Sequence, residues 1–178
     1  ISGVDKMERR NLNLRLFVNQ VGVPGSLPDN PVNCIFEDNH CNLWVGNVDQ
    51  GLSMRRAGTD YFVHYYSSAS SSSLCGNTVN AMVQDGNGML WIGTWGGGVC
   101  CTSLSSLLNL SFKSYSTHNS GLQSDYVGSL CFDKLNNGMW IGTTHGLCFF
   151  DLATNTIVKV SLPTDVQPNN SLTRMIID

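Results

Sequence analysis

The sequence predicts an all-β chain of four-stranded antiparallel sheets, the blades of a β-propeller. Three observations predict it: one hairpin phrase recurs, its period matches a four-stranded unit, and the composition suits short strands joined by polar turns. The phrase is clearest from Val79 to Thr94. Val79, Ala81 and Val83 alternate with polar or softer residues, the period-2 signal of a strand. Asp85-Gly86-Asn87-Gly88 supplies turn chemistry, because Asp and Asn accept local hydrogen bonds and Gly tolerates positive φ. Leu90-Trp91-Ile92 resumes an apolar run, which Gly93 is expected to end.

The recurrence is regular. Asp38, Asp85 and Asp133 each close an alternating run, 47 and 48 residues apart. The Trp phrase follows as Leu43-Trp44-Val45-Gly46, Leu90-Trp91-Ile92-Gly93 and Met139-Trp140-Ile141-Gly142. A second glycine opens a third strand at Gly51-Leu52, Gly98-Val99 and Gly146-Leu147. An outer strand closes each unit at Tyr61–Tyr65, Phe112–Tyr115 and Thr156–Val160. One small sheet cannot bury both its faces, so stacking around an axis is the physical solution.

The register also places the ends. Gly3–Met7 and Leu14–Phe17 match the third and last strands of a preceding unit, and Ser171–Asp178 matches the first strand of a following one. A short charged helix over residues 6–16 is the weaker reading. The expected organisation is therefore a partial propeller over 1–178. Residues 1–20 end one blade, 28–66, 75–116 and 122–162 form three more, and 171–178 begin another. Propellers close with roughly four to eight blades, so a piece of a longer ring is expected, or self-association to complete one.

Composition narrows the class. The chain has 178 residues, 42% hydrophobic and only 13% charged, with 18 Gly. That is enough apolar content for a core and argues against disorder. A net charge of −3, with basic residues not gathered into a stripe, gives no nucleic-acid surface. No apolar run is long enough to span a bilayer, so no membrane contact is expected of this segment. The seven cysteines include no CxxC pair and no zinc spacing, so no metal and no cofactor is expected. Most read as small buried hydrophobes, with Cys100 and Cys148 at equivalent repeat positions. A Cys34–Cys41 bridge is the less favoured alternative. Asn109-Leu110-Ser111 and Asn169-Asn170-Ser171 fit the glycosylation pattern, which is common by chance.

These phrases resemble the two-component regulator propeller repeat: Val79, then Asp85-Gly86-Asn87-Gly88-Met89-Leu90-Trp91-Ile92-Gly93-Thr94, then Gly98-Val99. Copies start at Val32 and Val127 and keep register; Asn47 stands where Thr is usual. The resemblance implies a seven-bladed propeller in the periplasmic sensor region of a hybrid two-component histidine kinase, of the kind found in Bacteroides-like bacteria for detecting glycan breakdown products. Its implied partner is a small saccharide, alongside the remaining blades of the parent chain.

Residues that repeat read as structural, because a unique catalytic centre would not recur in every blade. Asp38, Asp85 and Asp133 are expected to cap hairpin N–H groups. Trp44, Trp91 and Trp140 are expected to be core wedges whose indole N–H needs one acceptor. No catalytic residue is expected. The loops after each Trp strand differ between units. There Trp95 could stack on a sugar, and Asp49, Gln50 and His145 could bond its hydroxyls, against the plainer reading as solvated loop residues. Trp95-Gly96-Gly97-Gly98 has no following Lys-Ser/Thr and is no phosphate cradle. The serine run Ser67–Ser73 reads as a mobile link, Arg55-Arg56 as a solvated pair, and His64 and His118 as edge or surface residues. The competing functions are a propeller enzyme, lyase or glycosidase-like, and a protein-interaction scaffold. A sialidase-type centre needs convergent arginines. Arg9, Arg10, Arg15, Arg55, Arg56 and Arg174 supply these poorly.

Overall fold

A computed structural model describes residues 15–28 and 31–161. The expected strands at Gly3–Met7 and Ser171–Asp178, with Arg9, Arg10, Arg174 and the Asn169 sequon, lie outside the described residues. Those described form no α-helix, and no helix is long and apolar enough to cross a membrane.

Twelve strands make three antiparallel four-stranded sheets, each a simple meander. The first holds β1 (Val32–Glu37), β2 (Leu43–Asn47), β3 (Leu52–Arg55) and β4 (Phe62–Tyr65). The second holds β5 (Val79–Gln84), β6 (Met89–Thr94), β7 (Val99–Ser103) and β8 (Lys113–Tyr115). The third holds β9 (Val127–Asp133), β10 (Gly138–Thr143), β11 (Gly146–Asp151) and β12 (Thr156–Val160). The sheets stack face to face, and β5 lies beside both β1 and β9. The result is an all-β, partial propeller.

Each interface is an apolar layer that neither sheet could complete alone. Between the first two, Trp44, Leu52 and Met54 meet Val79, Leu90, Ile92 and Cys100. Between the last two, Trp91, Cys101 and Tyr115 meet Val127, Met139, Ile141 and Phe150. Burying a large side chain in such a layer is worth about 1.5–3 kcal/mol. A smaller cluster of Leu27, Val45 and Phe62 takes Phe17 and Leu43 on the far face of the first sheet.

Two details of β5 and β6 differ from the sequence reading. The alternation of Val79, Ala81 and Val83 is interrupted, because a register shift between Val79 and Ala81 leaves Asn80 unpaired. A bulge of this kind moves the following residues to the opposite face. Val79 and Met82 therefore face the first sheet, and Val83 the third. Equivalent shifts occur between Val32 and Cys34 and, in β9, opposite Gly142/Thr143. The bulged residues also join the sheets: Asn33 Nδ2 donates to Asn80 Oδ1 (3.0 Å), and Asn80 Nδ2 to the Val127 carbonyl (3.0 Å).

Gly93 does not end its strand. It lies inside β6, where an added Cβ would fall 2.7 Å from Val127 Cγ1. Gly46 has the same relation to Val79 Cγ1, also 2.7 Å. Glycine follows the Trp phrase so that the next innermost strand can approach.

Other expectations need correction. Arg15, Leu16 and Phe17, expected in a last strand, form none. Phe17 instead meets Phe62 edge-on, ring centres 5.5 Å apart, as Tyr65 meets Phe112 at 5.7 Å. The Ser67–Ser73 link carries hydrogen bonds of its own. The Ser68 N–H donates to Ser73 Oγ (3.0 Å), Ser73 Oγ donates to the Ser70 carbonyl (2.8 Å), and the Ser72 carbonyl accepts from the Phe112 N–H (3.0 Å). Arg55 is half-buried, its guanidinium 5.0 Å above the Phe17 ring and bonded to the Thr59 carbonyl. His64 bonds Ser53 Oγ at 2.9 Å. All seven cysteines are unbridged, with Cys41 exposed and Cys100 and Cys148 fully buried.

Candidate functional site

The repeated Asp and Trp residues form one device. Trp44 Nε1 donates to Asp38 Oδ2 (2.9 Å), Trp91 Nε1 to Asp85 Oδ2 (2.8 Å) and Trp140 Nε1 to Asp133 Oδ2 (3.0 Å). The other oxygen caps the turn: Asp85 Oδ1 accepts from the Asn87 and Met89 N–H groups, as Asp38 Oδ1 does from His40 and Asn42. The acceptor each indole needs is thus the carboxylate of its own turn. Burial acts to raise the Asp38 carboxyl, but bonds from Trp44, Asn42 and His40 outweigh it and hold it below its usual value. The Asn136 side chain and N–H, with Trp140, bring Asp133 down to about 2. Every oxygen is engaged in cohesion, so these carboxylates hold the hairpins.

A second repeated bond shapes the loops after β2, β6 and β10. The N–H groups of Val48, Trp95 and Thr144 donate to the carbonyls of Pro31, Thr78 and Tyr126, at 3.0, 2.8 and 3.1 Å. Each loop is thereby tied to the chain entering its own innermost strand. Thr94 Oγ1 and Thr143 Oγ1 bond the carbonyls of Gly98 and Gly146 across these loops, and Asn47 Nδ2 reaches Gly51 equivalently. Asn47 therefore does the work of the Thr it replaces.

Each loop also reaches the next link. Asp49, in left-handed conformation (φ 55°), receives the Thr78 hydroxyl on its carboxylate, and Gly51 N–H donates to the Asn77 carbonyl. One sheet later, the Gly96 and Gly98 N–H groups share the Asp125 carbonyl, both at 2.9 Å. This contact brings Trp95 against Tyr126: a single bridge joins their backbones, and their rings lie 5.2 Å apart at 69°. Both are 46% exposed. Two large aromatic surfaces at a steep angle, left in solvent, form an open corner.

The polar rim continues from this corner. Thr144 Oγ1 bonds Ser124 Oγ (2.8 Å) and His145 Nδ1 (3.1 Å). Asp49, Thr78, Trp95, Tyr126, Thr144 and His145 thus follow one another by direct contact. Of the four residues singled out from sequence, Trp95, Asp49 and His145 lie on this rim, though the Asp49 carboxylate is already engaged by Thr78. Gln50 does not. It lines a separate cavity of about 420 Å³ with His64, Tyr66 and Pro24. Tyr126 was missed. Its signal was available: it precedes the first Val of an innermost strand, where the other units carry Pro31 and Thr78, so it too is an unrepeated aromatic.

Arg15 pairs with Asp60, and Arg55 is held at Thr59 and Phe17, so neither joins the rim. Among the described residues no three His, Cys, Asp or Glu side chains gather to hold a metal.

Comparison with known proteins agrees with the fold. The extracellular domain of what is described as a one component system from B. thetaiotaomicron is 21% identical with a TM-score of 0.68, covering 82% of this chain and 20% of that one. The extracellular domain of what is described as a hybrid two component system from the same organism is 26% identical with a TM-score of 0.63, covering 80% and 18%. PorZ, a surface component of the type-IX secretion system of Porphyromonas gingivalis, is 23% identical with a TM-score of 0.57, covering 76% and 19%. The chain thus spans about a fifth of the length of these structures. No curated protein sequence matches it. The model of the two component regulator propeller family matches residues 26–49 and 73–96. The third unit, whose turn places Trp140 seven rather than six residues after its Asp, lies outside that match. This chain is accordingly a stretch of β-propeller that carries two component regulator propeller repeats.

Proposed function

We propose that this segment is the ligand-sensing, extracytoplasmic propeller of a hybrid two-component sensor histidine kinase, and that it takes a glycan-derived oligosaccharide on the rim at Trp95. The observation that carries the reading is the Trp95–Tyr126 corner, where two unrepeated aromatics meet in solvent beside hydroxyl and imidazole groups. A sugar ring presents apolar C–H faces and a rim of hydroxyls, which suits an aromatic surface bordered by polar side chains. The two repeat matches and the extracellular relatives support a periplasmic location. The corner straddles the joint between two blades, so a ligand that favours one packing of that joint would bias the assembly beyond it. A propeller enzyme or scaffold is the competing class, and no grouping of residues described above favours it.

Isothermal titration calorimetry of the sensor's extracytoplasmic region against a panel of neutral and acidic oligosaccharides tests the reading. Binding by at least one saccharide is expected, with altered autophosphorylation of the intact kinase. A panel that gives no heat at any concentration overturns it.

A further inference from the structure

In the second and third blades the repeat brings one link residue over one strand residue. Pro28, Cys75 and Gln123 are the link positions, and Ser53, Cys100 and Cys148 the strand positions. In the third sheet the Gln123 N–H reaches the Cys148 sulfur. In the second, the Cys75 N–H reaches the Cys100 sulfur in the same way, and here the Cys75 thiol also lies against it. Only in this blade are both positions cysteine.

The surroundings hold the pair together. Cys100 stands opposite Ile92 on β6, on the face that Thr94 shares, and Cys75 Sγ lies 3.7 Å from Thr94 Oγ1. Cys75 packs against the apolar cluster that contains Cys100. Gly97, whose added Cβ would fall on the Cys75 carbonyl, lets the link lie this close. Cys100 is fully buried and Cys75 half-buried, so Cys75 is the member of the pair nearer to solvent.

We propose that Cys75 and Cys100 are a disulfide-forming pair that staples the Ser67–Thr78 link to β7. The co-reactant is a disulfide, either a small molecule such as oxidised glutathione or a protein dithiol oxidant. The Cys75 thiolate attacks one sulfur of that disulfide and releases one thiol, leaving a mixed disulfide. The Cys100 thiolate then attacks Cys75 Sγ and expels the second thiol. Two protein thiols lose two electrons and two protons, and one external disulfide becomes two thiols. Burial raises the Cys100 thiol well above its ordinary value, and the thiolate is the attacking form, so the second step quickens with pH. An oxidising compartment, as the location proposed above implies, would keep the bond closed.

The test is peptide mapping of the native chain after incubation with oxidised glutathione, followed by denaturation and alkylation. The expected product links the Cys75 and Cys100 peptides and leaves five alkylated cysteines. Oxidation should also raise the urea midpoint of the wild type and leave that of Cys75→Ser unchanged. Cys148→Ser, whose partner position is Gln123, should still form the link. Seven alkylated cysteines, a glutathione adduct arrested on Cys75, or a bridge to any other cysteine would each overturn the proposal. None of these outcomes depends on whether the rim binds a saccharide.

Discussion

Trp91 and Trp140 occupy the same place in the same phrase, and their surroundings differ. Each indole donates to the carboxylate of its own turn, at 2.8 and 3.0 Å. Trp91 is 3% exposed, wedged against Tyr115 and against Phe150 of the third sheet. Trp140 is only half-buried and rests on Phe149 of its own sheet. The Asp–Trp bond is therefore a property of the hairpin, made at both degrees of burial. The burial is a property of the stack. Local chemistry sets the shape of a blade, and the adjacent blade supplies most of the apolar energy.

Replacing the two residues separates these contributions. Trp91→Ala should cost about 3–5 kcal/mol, as for a fully buried aromatic. Trp140→Ala, with less surface to lose, should cost about 1–2 kcal/mol. Urea unfolding of the two variants of this chain checks the difference. Equal costs would mean that the hairpin bond, and not the stack, carries the stability.

The next largest effect isolates the interface from the hairpin. Gly93→Ala leaves the Asp85–Trp91 bond intact but drives a methyl to within 2.7 Å of Val127 Cγ1. Overpacking of this kind costs roughly 1–3 kcal/mol. The loss should shrink when Val127 is also replaced by Ala, and a double-mutant cycle reads that coupling. Additive losses would break the claim that this glycine exists for the approach of β9.

Acid pH tests the hairpin side. Asp38 and Asp133 are both held below the ordinary carboxylate value in the folded chain. Protons therefore bind the unfolded state more readily, and the stabilisation is present above about pH 4. It is lost as pH falls toward about 2, the value for Asp133. Asp133→Asn should lower stability near neutrality and change it little near pH 2, so that the acid limb of stability against pH flattens. An acid limb unchanged by this variant would contradict the assignment.

The repeat, the strand order and the role of the Asp and Trp residues were legible because they recur in register. Recurrence of a short phrase also says which residues serve the fold. The bulges were not legible. Asn80 looks like an ordinary polar position in an alternating run, and only its bond to the Val127 carbonyl explains the break in register. Gly93 was read as a strand end because glycine weakens a strand, whereas its small size serves a contact with a residue more than thirty positions away. Trp95 and Tyr126 are both unrepeated aromatics, but that they meet was not legible. The two meet only because the loop of one blade bonds the link to the next, and no local pattern encodes that. Gln50, next to Asp49 in sequence, lines another cavity because the loop turns at Asp49.

The smallest expected effect on stability carries the functional claim. Trp95→Ala removes an exposed side chain and should change the folding free energy by about 0.5 kcal/mol or less. The deciding measurement is saccharide titration of this variant, with its urea midpoint recorded alongside. An unchanged midpoint with binding weakened at least tenfold is the predicted result. Binding that survives in a folded Trp95→Ala protein would contradict the placement of the ligand site on this rim.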